Sequence, residues 1–128
     1  MQDRYLFRAK RLDNDEWETG NIRFAEGIET SIIVHGILAH QVHPKTVGQC
    51  TGLRDKYNNL IFEDDIVKWT TADLRNPKTL IGVVGWHGDC YKVDIGGENT
   101  WFLSVVVDRN CEIIGNRFSH PHLLTAHE

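Results

Sequence analysis

Apolar and polar positions alternate along most of this chain with a period of two, the signature of β-strands rather than helices. Residues 5–9 put Tyr5, Phe7 and Ala9 on one face and Leu6 and Arg8 on the other. Asp13, Asn14 and Asp15 read as a turn, because short polar side chains bond their own backbone, and Glu16-Trp17-Glu18 opens a second strand. Residues 20–30 read as a loop or short irregular strand, and 31–38 as a β-rich run around Ile32, Ile33 and Val34. Pro44 disfavours helix at His43, and 46–51 forms another strand. The pattern assigns no topology to residues 20–45.

The second half is more regular. Short extended segments are expected at 60–62, 65–69, 79–87, 90–95, 101–107 and 111–114, joined by turns rich in Gly, Asp and Asn. In the run 101–107, Trp101, Leu103, Val105 and Val107 share one face. Strands joined this way form a β-meander, and five of them between residues 60 and 117 suit a small closed or partly open barrel, which hides its edges. Residues 119–124 read as a helical turn with Ser119 as its cap. The expected fold is therefore mostly β, with N-terminal strands over 1–50 and a barrel plus C-terminal turn over 51–124 of a single domain 1–128.

Composition narrows the function classes. The chain has 128 residues, 41 % hydrophobic and 25 % charged, the balance of an ordinary globular protein. No stretch approaches the roughly 20 apolar residues that span a bilayer. No apolar leader follows Met1-Gln2-Asp3-Arg4. A cytoplasmic protein without a membrane partner is expected. Cys50, Cys90 and Cys111 are odd in number and widely spaced, so they read as thiols in a reducing compartment rather than disulfides or zinc ligands. A net charge of −4 lacks the basic footprint of nucleic-acid binding, apart from the local cluster Arg4, Arg8, Lys10 and Arg11.

Candidate chemistry is sparse. Glu63 and Asp65 would converge on a cation with Asp55 or Asp89, but adjacent residues on an extended chain point apart, so turn-making is the simpler role. His35, His40 and His43, at spacings of five and three, fit neither a strand nor a helix, and His120 with His122 supplies only two ligands. His87-Gly88-Asp89-Cys90 holds nucleophile, base and acid types, yet a two-residue turn would splay them. No phosphate loop, dinucleotide fingerprint or nucleophile elbow occurs. No catalytic residue, metal site or cofactor is expected, and the protein is expected not to be an enzyme.

Three segments carry a resemblance. They are Phe7-Arg8-Ala9; the run from Gln49 through Thr51-Gly52-Leu53-Arg54-Asp55 and Leu60-Ile61-Phe62-Glu63-Asp64-Asp65 to Val67; and Glu112-Ile113-Ile114-Gly115-Asn116-Arg117-Phe118 leading to Pro121-His122-Leu123-Leu124. In order and spacing over residues 4–124 the chain resembles the YopX family, small proteins of bacteriophages and prophages. The family usually has Gly where Asp64 stands and another near Asn59. Asp and Asn tolerate the left-handed backbone that Gly favours, so the turns are expected to persist. The resemblance implies an SH3-like barrel and no catalytic residues.

Turn chemistry assigns Gly52, Asp55, Glu63, Asp65, Gly115 and Asn116 structural roles, with Asp65 accepting backbone N–H groups and Gly52 and Gly115 supplying backbone freedom. The expected function is that of an accessory module that binds another protein, or a second copy of itself. Its surface would use the exposed members of Tyr57, Trp69, Trp86 and Trp101, with Arg8. The rival is nucleic-acid binding, in which Arg4, Arg8, Lys10, Arg11 and Lys68 gather beside an aromatic platform. A third reading is self-assembly through residues 32–38 as an exposed edge strand.

Overall fold

Antiparallel ladders dominate the computed structural model. It describes residues 6–24, 31–35 and 38–125, and of residues 24, 31–35, 38 and 125 the backbone only. The chain divides into two compact units, Met1–Gly52 and Leu53–Glu128, and the protein is mostly β. No helix among the described residues is long and apolar enough to cross a membrane.

In the first unit β1 (Phe7–Lys10), β2 (Trp17–Phe24), β3 (Ser31–His35), β4 (Leu38–Val42) and the start of β5 (Gly48–Arg54) lie in the order β4-β3-β2-β1-β5. The β1–β2 turn is set by Asp15 at φ 58 and by the Glu16 N–H, which donates to Asn14 Oδ1 at 2.9 Å. Ala9 and Val42 are buried, with Ile22 and Val47 against them. Alternation along β1 accounts for this, since Ala9 points inward between Arg8 and Lys10. A bridge from Arg11 to Val42 ties β4 back to the residue that follows β1. Pro44–Thr46 is a single 3₁₀ turn, opened by the proline. Thr46 Oγ1 donates to the His43 carbonyl at 2.7 Å and accepts the Lys10 N–H at 2.9 Å.

Of the apolar run 32–38, residues 32–35 are not an edge, while Leu38 opens β4, which is one. The first part of the run is β3, paired with β2 on one side (Ile22↔Ile33) and with β4 on the other (Ile33↔His40). With both of its hydrogen-bonding sides used, β3 offers no template for a second chain.

The second unit holds the larger part of the described core. Its strands are β6 (Leu60–Phe62), β7 (Asp65–Thr70), β8 (Thr79–Trp86), β9 (Tyr91–Gly96), β10 (Asn99–Phe102) and β11 (Glu112–Asn116), with α1 (Leu103–Asp108) and α2 (His122–Thr125). A five-stranded sheet runs β10-β9-β8-β7-β11. Its inward row passes Val84, Val93 and Trp101, in register across β8, β9 and β10. Ile61, Val67, Trp69, Val84, Val93, Leu103, Val106 and Cys111 close the core.

Two expectations are corrected here. The sheet is not a closed barrel: β10 and β11 are its edges, and the chain between them goes into α1 instead of a ladder. Residues 103–107 are that helix, not the end of a strand. Three successive valines favour extended backbone locally. However, Leu103, Val106 and Val107 also stand at i, i+3 and i+4, and burying Leu103 with Val106 selects the helix. Asn110 at φ 56 then ends it, its N–H bonding the Val107 carbonyl at 3.1 Å.

Candidate functional site

The segment 55–59 shows what the most distinctive sequence run does. Asp55 is 7 % exposed. Its Oδ1 accepts the N–H groups of Tyr57 at 3.0 Å and Asn59 at 2.9 Å, and its Oδ2 accepts the Ile113 N–H at 3.1 Å. One buried carboxylate thus folds its own turn and holds β11, 58 residues away. The Lys56 N–H donates to the Cys111 carbonyl at 2.8 Å, and Asn58 takes the left-handed conformation at φ 67. Asn59 does not take that conformation. Gly52 lies at φ 81, the backbone freedom expected of it.

The acidic turn is built the same way. Asp64 sits at φ 73, where the family usually has Gly. The buried Asp65 accepts the Phe62 N–H on Oδ2 at 2.8 Å. Arg117 Nε meets Asp64 Oδ1 at 2.9 Å. Glu63 is half-buried on this turn. Among the described residues no three His, Cys, Asp or Glu side chains converge to hold a metal ion.

Gly115 departs from its expected role. It stands in β11 at an irregularity in register, not in a left-handed turn. Its requirement is space: a Cβ there would lie 2.6 Å from His120 Nδ1. Asn116 Oδ1 accepts the N–H groups of Phe118 at 3.1 Å and Ser119 at 2.9 Å, so Ser119 belongs to this turn, and α2 begins three residues later.

The named aromatic side chains do not form one surface. Trp69, 2 % exposed, belongs to the core and is not an exposed ring, because β7 alternation turns it inward with Val67. Trp101 is half-buried and meets Trp69 edge to face at 5.7 Å. Tyr57 is 62 % and Trp86 54 % exposed. Phe102 is a further exposed ring, at 55 %, with Lys92 Nζ 5.2 Å from its centre. The sequence carried its signal: if Trp101 and Leu103 face inward, Phe102 faces out. Register places Trp86 beside Tyr91 and Phe102 beside Lys92, so alternation sends Trp86 and Phe102 to opposite faces of the sheet.

The cations divide between the units. Arg8 and Lys10 stand over the half-buried Trp17 ring at 4.7 and 5.5 Å, an arrangement set by the Lys10↔Trp17 register of the first hairpin. Arg11 turns away and forks onto Asp13 at 2.9 and 2.6 Å, with Glu18 at 3.4 Å. That bond holds the Asp13 carboxyl below the usual carboxylate range and raises the guanidinium. Arg4 lies outside the described residues, and so does the side chain of His35. Lys68 belongs to the second unit. There a cleft of about 230 Å³ is lined by Lys56, Lys68, Trp69, Arg109, Asn110 and Glu112, among others. Lys68 Nζ lies 3.7 Å from Glu112. Among the described residues the Arg109 guanidinium bonds no other group, and neither does the buried Trp69 indole N–H. Leaving such a donor unpaired costs about 1–3 kcal/mol.

The remaining reactive types stay apart. His43 Nε2 meets Asp15 at 2.8 Å, and His40 borders a separate groove beside Asp13. His120 and His122 have ring centres 6.2 Å apart. His87 and Cys90 share a backbone hydrogen bond of 2.9 Å, while burial and the bond its S–H donates to Asp89 raise the Cys90 thiol. Burial pushes the Cys111 thiol up to about 11, with the Asp55 charge adding to it.

Residues 5–125 match the family model described as YopX protein. Among solved structures the chain is similar to the crystal structure of protein EF1440 from Enterococcus faecalis, at 18 % identity and a TM-score of 0.58, over 92 % of this chain and 96 % of that one. That likeness is one of fold. Comparison with curated proteins gives no match.

Proposed function

The chain belongs to the YopX family, and from that premise we propose a non-enzymatic accessory protein of a phage or prophage that binds another protein in the bacterial cytoplasm. The observation that carries this reading is the exposure of three large rings in the second unit, Tyr57, Trp86 and Phe102. Exposed rings on a stiff scaffold offer large contact area at little entropic cost, and aromatic side chains dominate binding hot spots. The connectivity of that unit also supports kinship with SH3-like barrels in an open form. A four-strand meander, β7-β8-β9-β10, is followed by a short helix and by β11, which pairs with β7.

Affinity capture from bacterial lysate, with and without nuclease, tests the proposal. A protein retained after nuclease and lost with Tyr57→Ala, Trp86→Ala or Phe102→Ala is the expected result. Capture unaffected by all three substitutions would remove this surface.

A second reading has its own observation, the Trp17 ring flanked by Arg8 and Lys10. Such a platform suits stacking of a nucleobase beside a phosphate. It predicts binding of labelled single-stranded DNA that falls steeply with salt and is lost on Trp17→Ala. Flat anisotropy at low salt would remove it.

A further inference from the structure

We infer that the cleft beside Tyr57 is a carboxylate-binding pocket, and that the protein partner presents an acidic segment to it. This rests on the protein-binding reading and names the chemistry that reading leaves open. Three cations, Lys56, Lys68 and Arg109, line one small cleft against the single carboxylate of Glu112, in a chain whose net charge is −4. The positive charge is therefore local and set against the sign of the whole molecule. Among the described residues Arg109 makes no side-chain bond, Lys56 meets the Tyr57 ring, and Lys68 reaches Glu112 at 3.7 Å.

A second observation is independent of the charges. Trp69 is buried and lines the same cleft, and its indole N–H lacks an acceptor. Three cations face one carboxylate along this wall, and what complements that surplus is an acceptor-only group. Carboxylate fits better than phosphate. Glu112 already stands in the cleft, and its repulsion of a dianion exceeds that of a monoanion. The acidic molecule as a whole also repels a polyanionic backbone beyond the reach of the pocket. The volume of about 230 Å³ suits one acidic side chain and not a folded surface. Tyr57, next in the chain to Lys56, is then the ring against which the rest of the segment lies.

The test uses the full chain and a short fluorescein-labelled peptide of Glu and Leu. The same peptide with Gln for Glu and a single-stranded DNA of equal charge serve as comparators, all read by anisotropy at low salt. The acidic peptide is expected to bind at least about tenfold more tightly than the Gln peptide, with salt weakening it. Arg109→Glu and the exposed Lys56→Glu are each expected to weaken it about five- to tenfold, and Glu112→Gln to tighten it about twofold. Equal binding of both peptides, or indifference to both charge reversals, would overturn the inference. So would DNA that binds more tightly than the peptide with the same dependence on Arg109. A captured partner that survives Arg109→Glu but is lost with Tyr57→Ala would overturn the pocket and leave the protein-binding reading standing. Peptide binding that obeys the charge reversals, with no protein ever captured, would support the pocket and count against that reading.

Discussion

Two polar regions of the second unit are built from neighbouring residues and have opposite hydrogen-bond balances. Around Asp55 one carboxylate is saturated, with three backbone N–H groups converging on it and little water reaching it. Around Lys56, Lys68 and Arg109 the donors outnumber the acceptors, and one of them is a buried indole N–H. Asp55 is followed by Lys56, and Ile113 is preceded by Glu112, so both sides draw on the same two stretches of chain, to which the cleft adds Lys68 and Trp69 of β7. The difference separates polar groups that hold a fold from polar groups left for something else. A buried polar group whose partners are all internal is structural, whereas a surplus of one kind marks a place where the folded chain is incomplete in its hydrogen bonding.

The contrast breaks first at Asp55. Asp55→Ala removes a buried acceptor shared by three backbone donors and is expected to destabilise the protein by about 3 kcal/mol, measured by urea denaturation. Asp55→Asn, which keeps one acceptor oxygen, is expected to cost less. A loss below about 1 kcal/mol for Asp55→Ala would show that water replaces the carboxylate and that this side is not saturated.

The next effect lies between the two regions, at Cys111. Its thiol rises from an ordinary value of 9.0 to about 11 in the folded state because a buried thiolate is disfavoured. With the folded value raised, the stability this thiol contributes is fully present below about pH 9 and is lost as pH rises toward about 11, up to about 2–3 kcal/mol in all. The slope of stability between pH 9 and 11 is expected to be shallower in Cys111→Ala than in the parent. Parallel slopes would mean that the thiol is not shielded.

Gly115→Ala tests the saturated side at its far end. The added methyl meets the His120 ring, and a cost of about 1–3 kcal/mol is expected. An unchanged melting temperature would show that the ring swings aside without loss.

The smallest effect sharpens the comparison from the other side. Arg109→Ala is expected to change stability by less than about 0.5 kcal/mol, because its guanidinium bonds no group among the described residues. A loss above about 1 kcal/mol would make this cation part of the framework and erase the distinction.

The sequence revealed the first of these regions far better than the second. Local turn chemistry is written in residue types: Asp64, Asn58 and Gly52 all occupy the left-handed conformation that their composition suggested. The period of two located β7, β8 and β9 within a residue or so, because each strand buries one face only. It failed at α1, where Leu103, Val105, Val106 and Val107 satisfy both periods and the core decides. It failed again at Gly115, where the reason is a histidine ring brought close by a later turn. The cleft was not legible at all. Lys56, Lys68 and the pair Arg109 and Glu112 come from three separate places in the chain, and a charge with no partner looks in sequence like any solvated charge. Trp69 and Trp86 illustrate the same limit: one is core and the other exposed, and residue type alone does not separate them.

The bond from the Ile113 N–H to Asp55 has a kinetic meaning as well. The meander β7-β8-β9-β10 joins strands that are close in sequence and is expected to zip early, since short loops close at small entropic cost. The turn 55–59 gains its third donor only when β11 returns to pair with β7, across the whole of that meander. Among the strand pairings of this unit, docking of β11 on β7 is thus the one with the longest loop to close. Substitutions in β11 should slow folding more than they speed unfolding if that strand is already in place at the barrier, and the reverse if it arrives last.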